Sequence, residues 1–472
     1  MIPRVPASWR EERPWAIDTN KEAETVKHIL VLGAGRSAAY LIHHLLEQAE
    51  AEDWFVTVGD LDVEAAQRAV GDNPRGSAIR FDVNDAVLRS AQIRNSDLVI
   101  NLLLPTFLDL VAWDCVNHGR HMLSVSYRTP AVRDLDNDAN RKGVLLLCEL
   151  GLDPGLDHMS AMRLIQKVQG DGGTIRSFRS YGSGIPAPEQ EQNPLRYVIT
   201  WNPRNVVMAG ENGAQYMEHG RIKIVPYHHV FHHTWKVDVT GVGELEAFPN
   251  RDSLSYMESF GLKNVETMVR GTLRYPGWAE TWAQIVALGL PNETLRITDL
   301  KERTYREVVE MFLPLNVTGP GIEQRIGRFL NISPTGRIMD NLRWLGLFSE
   351  ERIEGEGDTA AAMMSHLLMR KLPLEPGHRD LVILLHELEV EYAGGRRERI
   401  ASTLAVRGEP NGFTAMSRTV GTPAAAAARL ILNGEIVLTG SHIPTHASIY
   451  GPILRETEAA GLGFKEESTV LE

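Results

Sequence analysis

Cysteine is almost missing from this chain: Cys115 and Cys148 are the two in 472 residues, and both lie inside apolar runs. That excludes a disulfide-stapled scaffold and a cysteine-rich zinc site, and it fits buried thiols in a reducing compartment. Positive charge is not in excess. Lys and Arg total 49 against 61 Asp and Glu, a formal net charge of -12, so neither nucleic acid nor an anionic membrane is expected as the main partner. No stretch is apolar and long enough to span a bilayer. The opening residues, MIPRVPASWREERPWAIDTNKEAE, contain acids and prolines but no apolar h-region, so no secretory signal is read there and a cytoplasmic location is expected. An anionic small molecule stays open as substrate, because a local arginine cluster can oppose the global sign.

What is present is an ordinary enzyme composition, 43% hydrophobic and 23% charged, on a chain too long for one core. Residues 1–27 read as a polar extension. From 28 onward short Val, Ile and Leu runs alternate with helical patterns: HILVLGAG, WFVTVGD, AIRFDV, SDLVINLLL and HMLSVSY are strands, with SAAYLIHHLLEQAEA and DVEAAQRAV between them. Continuous apolar strands separated by helices require a parallel sheet covered on both faces, so the first 150 residues read as a doubly wound α/β domain. Residues 175–250 look mostly β (SFRSYGSG, LRYVITW, IKIVPYHHV, WKVDVTGV). The pattern turns helical from about 254 to 370. DLVILLHELEVEYAGG and RERIASTLAVRG then suggest a hairpin, and TPAAAAARLILNG a tightly packed helix.

The strongest local signal is Gly33-Ala34-Gly35-Arg36-Ser37-Ala38, a G-x-G-x-x-A between an apolar strand and a helix. The first glycine permits the tight turn, the second lets backbone approach a pyrophosphate, and Ala38 allows close helix–strand contact. The helix N-terminus then aims amide donors at the phosphates. Asp60 closes the second strand about 20 residues on, where an acid binds the ribose 2′-hydroxyl of NAD and repels a 2′-phosphate. Arg36 and Arg68 lie close enough in sequence to leave NADP open.

A second segment, Gly151-Leu152-Asp153-Pro154-Gly155-Leu156-Asp157-His158, joins a strand to a helix. Two carboxylates and an imidazole at a strand's carboxyl end lie where open α/β sheets bind ligands, and they suit acid–base work; a helix-entry turn with Asp157 as cap is the alternative. Arginines recur at Pro249-Asn250-Arg251-Asp252-Ser253 and Arg270-Gly271-Thr272-Leu273-Arg274-Tyr275, as forks for carboxylates or as structural ion pairs. His228, His229, His232 and His233 have no Asp, Glu or Cys at ligand spacing, so half-exposed strand histidines and no metal are expected.

From about His28 onward the chain resembles the saccharopine dehydrogenase family, in its glutamate-forming, saccharopine reductase-like branch. The resemblance rests on GAGRSA, SVSYRTPAVRDL, ELGLDPGLDH, SYGSGIPAPE, NPLRYVITW, PNRDS, RGTLRYPG and LGLF, in that order. It implies a Rossmann domain over 28–127 completed by 440–472, an α/β substrate and dimerisation domain over 128–253 and 372–439, and a helical insertion over 254–371. The implied reaction oxidises the secondary amine of saccharopine with NAD(P)+ to an imine, whose hydrolysis gives L-glutamate and 2-aminoadipate 6-semialdehyde.

Site residues carry over where motifs match. The resemblance assigns Gly33, Gly35, Arg36, Ser37 and Ala38 to the pyrophosphate and Asp60 to the adenosine ribose. It places Asp82, Val83, Leu103, Asp153, Pro154, Gly155 and Asn202 along the cofactor cleft. Ser126, Tyr127, Arg251, Thr272, Leu273 and Arg274 become substrate contacts, with Tyr127 and Asp153 nearest the chemistry. Three substrate carboxylates suit the forks of Arg251 and Arg274.

The chain departs from the family where fungal members carry a cysteine and this chain has Gly182. It departs again at Leu103-Leu104-Pro105-Thr106-Phe107, which lacks a phenol, and at Asp60-Leu61-Asp62, where NADP users have C-R-T. The last favours NAD. A homodimer with a small polycarboxylate substrate is the expected assembly. The competing readings are a relative acting on another secondary-amine-linked amino acid or carboxylated polyamine, and a nicotinamide-binding protein without turnover.

Overall fold

A computed structural model describes residues 26–190 and 192–471. The first apolar runs form β1 Lys27–Leu32, β2 Trp54–Asp60, β3 Gly76–Arg80, β4 Leu98–Asn101, β5 His121–Ser124 and β6 Leu145–Leu147. Ten further strands follow up to β16: β7 Thr174–Pro186, β8 Ala214–Glu218, β9 Arg221–Val225, β10 Trp235–Val239, β11 Gly243–Pro249, β12 Arg251–Asp252, β13 Thr267–Arg274, β14 Asp380–Glu391, β15 Arg397–Arg407 and β16 Gly440–His442. The last strand is β17 Lys465–Leu471.

The first sheet is parallel, in the order β16-β6-β5-β4-β1-β2-β3. The order reverses direction between β1 and β4, the switch point at which doubly wound sheets bind dinucleotides. Alternation along β1 feeds two cores. Ile29 and Val31 pack toward the helices Ala39–Gln48 and Ala415–Leu432, while Leu30 and Leu32 pack toward the helix Leu108–His118. Both faces are therefore covered, which is why β1 and β4 carry the apolar runs ILVL and LVI.

The second sheet is mixed, running β10-β11-β13-β7-β14-β15-β17, with β8, β9 and β12 attached to its side. One apolar core continues from the first sheet into this one: Leu156, Ile165, Phe178, Leu384 and Ala427 belong to the same cluster as Ile29 and Val56. The helices between Trp278 and Lys371 pack on a separate core built around Trp278, Trp282, Tyr305 and Met364. Among the described residues no helix is long and apolar enough to cross a membrane.

Several expected boundaries move. Strands β6 and β16 complete the first sheet, so that unit runs past Tyr127 to Leu147 and regains only a short piece near the C-terminus. Strand β17 instead pairs with β15 in the second sheet. Strand β13 also belongs to the second sheet, between β11 and β7, so the helical insertion begins only after it. The segment LRYVITW is not a strand. The Asn193 side chain accepts from Tyr197 N at 3.3 Å and donates to Tyr197 O at 2.7 Å, closing a local turn in place of a ladder. The histidine cluster lies in a 3-10 helix, Tyr227–His232, because Pro226 ends β9 without an N–H to donate and its carbonyl accepts from His229 N at 2.9 Å. No group of three or more His, Cys, Asp and Glu side chains able to hold a metal occurs among the described residues.

The two sheets are tied at one buried carboxylate. Asp380 opens β14 with no exposed surface and accepts from Ala415 N at 2.7 Å and Met416 N at 2.9 Å, the first turn of the long helix that covers both sheets. Free amides and the helix dipole favour a negative charge here, while burial opposes it and leaves the Asp380 carboxyl pKa raised. Asp380→Ala leaves both amides buried without a partner and should lower stability by about 2–3 kcal/mol. Chemical denaturation followed by tryptophan fluorescence checks this, and an unchanged midpoint would discard the tie.

Candidate active site

The carboxyl ends of the parallel strands bring most of the predicted cofactor residues onto one edge. Between β1 and the helix Ala39–Gln48 lie Gly33, with φ +103°, and Gly35, where an added Cβ would meet no atom within 4 Å. Open space over Gly35 and a helix start just beyond it, at Arg36–Ala38, suit a pyrophosphate. Asp60, at the end of β2, accepts from Ala34 N at 2.7 Å and Asp62 N at 2.9 Å, bracing this loop. Arg36 reaches across to the Ile199 carbonyl at 3.1 Å. Ser37 and Ala38 follow in the same turn, Ala38 buried against the core. Asp82 and Val83 follow β3, and Leu103 follows β4, its N–H donating to Asn101 Oδ1 at 3.1 Å. Asn202 caps the short helix Pro203–Val207. The residues present fit a dinucleotide.

Beyond β6 the chain makes a tight turn. Gly155, at φ +144°, packs so closely that a Cβ there would collide with the Gly151 backbone, so only glycine is accommodated. The Asp153–Pro154 bond is cis. Asp157 accepts from Gly155 N at 2.6 Å, which holds the turn shut and aims Asp153 toward β13.

There a buried ionic network forms. Arg270 of β13, 3% exposed, donates through Nη2 to Asp153 Oδ1 and, at 3.0 Å, to Asp157 Oδ2. His158 lies between two carboxylates, 3.0 Å from Asp157 and 2.8 Å from Glu149 Oε2. Glu149 also accepts from Tyr256 Oη at 3.2 Å and Arg128 N at 3.0 Å. The Tyr127 hydroxyl lies 3.4 Å from Asp153 Oδ1. Burial alone would neutralise the His158 ring, but the two flanking carboxylates hold its pKa up at about 9. Burial also opposes charge on Asp157, yet His158 and Arg270 keep it well below the usual carboxylate range. Asp153 goes the other way: burial, with Asp157 adding repulsion, raises it despite Arg270. Burial likewise pushes the Tyr127 phenol up, so it stays protonated.

Four residues of this network, Tyr127, Glu149, Tyr256 and Arg270, line a cavity of about 660 Å³ together with Arg128, Arg133 and Arg251. Its size is that of a small-molecule site. Two of its non-glycine residues, Glu149 at φ +59° and Arg251 at φ +54°, adopt left-handed backbone that ordinary side chains avoid.

The sequence-predicted substrate residues divide. Tyr127 and Arg251 line the cavity, with the guanidinium carbon 5.2 Å from the ring centre. Ser126 lies beside them, its carbonyl accepting from Glu149 N at 3.0 Å. Thr272 and Arg274 share a face of β13 with Arg270, while Leu273 turns into the core on the other face. Arg274 is not on the cavity: it is buried between the Tyr197 and Trp278 rings, 4.7 and 5.3 Å away, and donates to the Leu273 carbonyl. Of the arginines, Arg251 and Arg270 line this cavity and Arg274 does not. Sequence reasoning also missed Glu149 and Tyr256. Period-2 alternation along RGTLR, which puts Arg270 and Arg274 on one face, was the available signal for Arg270.

Comparisons with known proteins agree with this fold. Residues 29–147 match the model described as "Saccharopine dehydrogenase NADP binding domain", and residues 151–462 match "Saccharopine dehydrogenase C-terminal domain". A Schizosaccharomyces pombe protein named "Saccharopine dehydrogenase [NADP(+), L-glutamate-forming]" is 31% identical over 93% of this chain and 98% of its own length. The Bos taurus "Alpha-aminoadipic semialdehyde synthase, mitochondrial" is 34% identical over 94% of this chain, which spans only 48% of that relative. The solved apo structure of histidine-tagged saccharopine dehydrogenase (L-Glu forming) from Saccharomyces cerevisiae superposes with a TM-score of 0.81 at 30% identity, covering 94% of this chain and all of that one.

The raised pKa of His158 makes stability depend on pH. Its contribution is fully present below the ordinary histidine value of 6.5 and is lost as pH rises through about 9. The stability difference between the native chain and His158→Asn should therefore be constant in acid and shrink across that window. Urea unfolding at stepped pH measures it, and a difference independent of pH would show the ring to be neutral.

Proposed function

The chain belongs to the saccharopine dehydrogenase family, and we propose that it oxidises the secondary amine of saccharopine with a nicotinamide dinucleotide. A C–H bond beside the nitrogen is broken as hydride loss, the C–N bond becomes an imine, and water hydrolyses it to L-glutamate and 2-aminoadipate 6-semialdehyde. The observation that carries this reading is a cavity lined by Arg128, Arg251 and Arg270, the last of which holds the carboxylate of Asp153. Cationic forks answer substrate carboxylates, and a carboxylate answers a substrate ammonium. The names of the relatives point to the same reaction.

When bound, the nicotinamide ring supplies the hydride acceptor. The chain's own residues position and exclude. Arg251 and Arg270, which line the cavity, orient the carboxylates, so that the reacting carbon is presented by binding at both ends. Asp153, whose buried carboxyl binds a proton more readily than usual, faces the nitrogen and can hold the proton released from it. The phenol of Tyr127 stays neutral and serves as a donor.

Between the two dinucleotides we propose NAD. The relatives' names and the domain description carry NADP. The support for NAD is that Asp60 ends β2 with Asp62 just after it, at the strand end where an acid opposes a 2′-phosphate, and that Arg68 is already paired with Asp62 and Glu64. With purified protein and saccharopine, kcat/KM for NAD+ should exceed that for NADP+ by about tenfold or more, and Asp60→Ser should narrow the ratio. An NADP+ preference would overturn the choice of dinucleotide, and no reduction of either would overturn the reaction. Arg251→Ala should raise KM for saccharopine about tenfold with a smaller effect on kcat, since it binds a carboxylate away from the reacting carbon. An unchanged KM removes Arg251 from the site.

A further inference from the structure

We infer that Glu149 is a positioning residue of this cavity: one of its oxygens opens and closes a circuit of contacts that fixes where the Arg270 guanidinium stands. The inference rests on the reading above, in which Arg270 binds a substrate carboxylate.

The circuit can be followed atom by atom. Glu149 Oε2 lies 2.8 Å from His158 Nε2, and His158 Nδ1 lies 3.0 Å from Asp157 Oδ2. That same Asp157 oxygen accepts from Arg270 Nη2 at 3.0 Å. The Arg270 guanidinium carbon stands 4.5 Å from the centre of the Tyr256 ring, and the Tyr256 hydroxyl donates back to Glu149 Oε2 at 3.2 Å. Glu149, Tyr256 and Arg270 line the cavity, whereas His158 and Asp157 are buried and do not. Arg270 is thus held by an oxygen and by a ring face, and both contacts lead back to Glu149. Its Nη1 has no hydrogen-bonding partner among the described residues, so the protein does not use all of its donors.

The backbone at Glu149 sharpens the case. Its φ of +59° is one that glycine adopts freely and other residues adopt at a cost. Glycine would relieve that cost, but Arg128 N, His158 and Tyr256 would each lose an acceptor. A carboxylate accepts from all three at once and supplies the charge that a buried imidazolium needs.

That charge makes the circuit sensitive to pH. Between Glu149 and Asp157, His158 keeps its proton up to about pH 9. Asp153, the Tyr256 ring and His386 of β14 also face it, and Arg270 stands beyond Asp157. His386 is held neutral by burial and does not compete for the carboxylates. Glu149→Gln keeps the shape and removes one counter-charge, so the buried imidazolium should lose its proton at lower pH than in the native chain.

Steady-state kinetics from neutral to alkaline pH test this. Glu149→Gln should raise KM for saccharopine about tenfold, with kcat and dinucleotide Kd within about twofold of native. The rise should grow with pH, setting in about one unit or more below any such rise in the native enzyme. His158→Asn breaks the circuit at its next link, so the double variant should cost no more than the worse single one. An unchanged KM, a rise with the native pH profile, or additive losses would overturn the inference. If Glu149→Gln fails to fold, His158→Asn decides: a raised KM supports the circuit and a native KM overturns it. Should the native chain not oxidise saccharopine, the proposed reaction falls, and calorimetric binding of glutarate, a plain dicarboxylate, decides instead. Binding about tenfold weaker in Glu149→Gln supports the inference, whereas equal or absent binding overturns it.

Discussion

The guanidinium of Arg270 is the point on which the site depends. It is 3% exposed and takes two carboxylates, Asp153 and Asp157, that come from one turn after the first sheet, while its own strand is in the second. A buried ion pair is a weak source of stability, because desolvation offsets most of the attraction. Its value here is geometric. Removing either partner would leave a buried charge uncompensated, so the pair fixes how the turn after β6 meets β13. Tyr256 and Tyr127 stand over the same guanidinium, at 4.5 and 5.9 Å, and complete its surroundings.

That arrangement follows from the topology. Strand β13 sits between β11 and β7, and the helix Leu156–Gly170 carries Asp157 and His158 directly onto β7. The turn holding Asp153 is short because Gly155 packs on Gly151. The two sheets share one apolar core, so the cavity above the network is a seam between elements that pack as one body. Arg36, at the glycine-rich turn, bonds the Ile199 carbonyl in the segment leading to Asn202, which ties the dinucleotide edge to the second part of the chain.

How much of this is legible in the sequence depends on the range of each interaction. The Rossmann half is readable because its signals are local: apolar runs, a glycine motif and an acid at the end of the second strand. Motif resemblance picks out Tyr127, Asp153 and Arg251, and they do converge. Arg270 stands in a recognised motif, yet sequence favours Arg274 over it, because which arginine faces the cavity depends on where β13 lies in the sheet, a long-range fact. Glu149 and Tyr256 carry no local signal at all. Their roles arise around His158, which Glu149 holds in place while accepting from Tyr256, distant in sequence. Strand β13 is hidden for the same reason, since its neighbours β7 and β11 lie outside the helical stretch that surrounds it in sequence. LRYVITW misleads by its alternation, which Asn193 diverts into a turn.

The charge balance of the network bears on the proposed chemistry. Glu149, Asp153 and Asp157 are three carboxylates, whereas the buried cations among them are two, Arg270 and His158. With all five ionised, one negative charge is left over in a region of low dielectric, and the least costly remedy is to protonate the least stabilised carboxylate. Asp157 touches both cations, and Glu149 accepts hydrogen bonds from His158, Tyr256 and Arg128. Asp153 has Arg270 on one oxygen and no hydrogen-bonding partner among the described residues on the other, and it is the one whose pKa rises. On the proposed reading, the substrate ammonium supplies the missing positive charge at that oxygen, so binding ionises Asp153 and prepares it to take the proton that the nitrogen must lose on its way to the imine. A neutral network would have no such preference for a cationic amine. On that reading the excess of one carboxylate serves the proposed reaction.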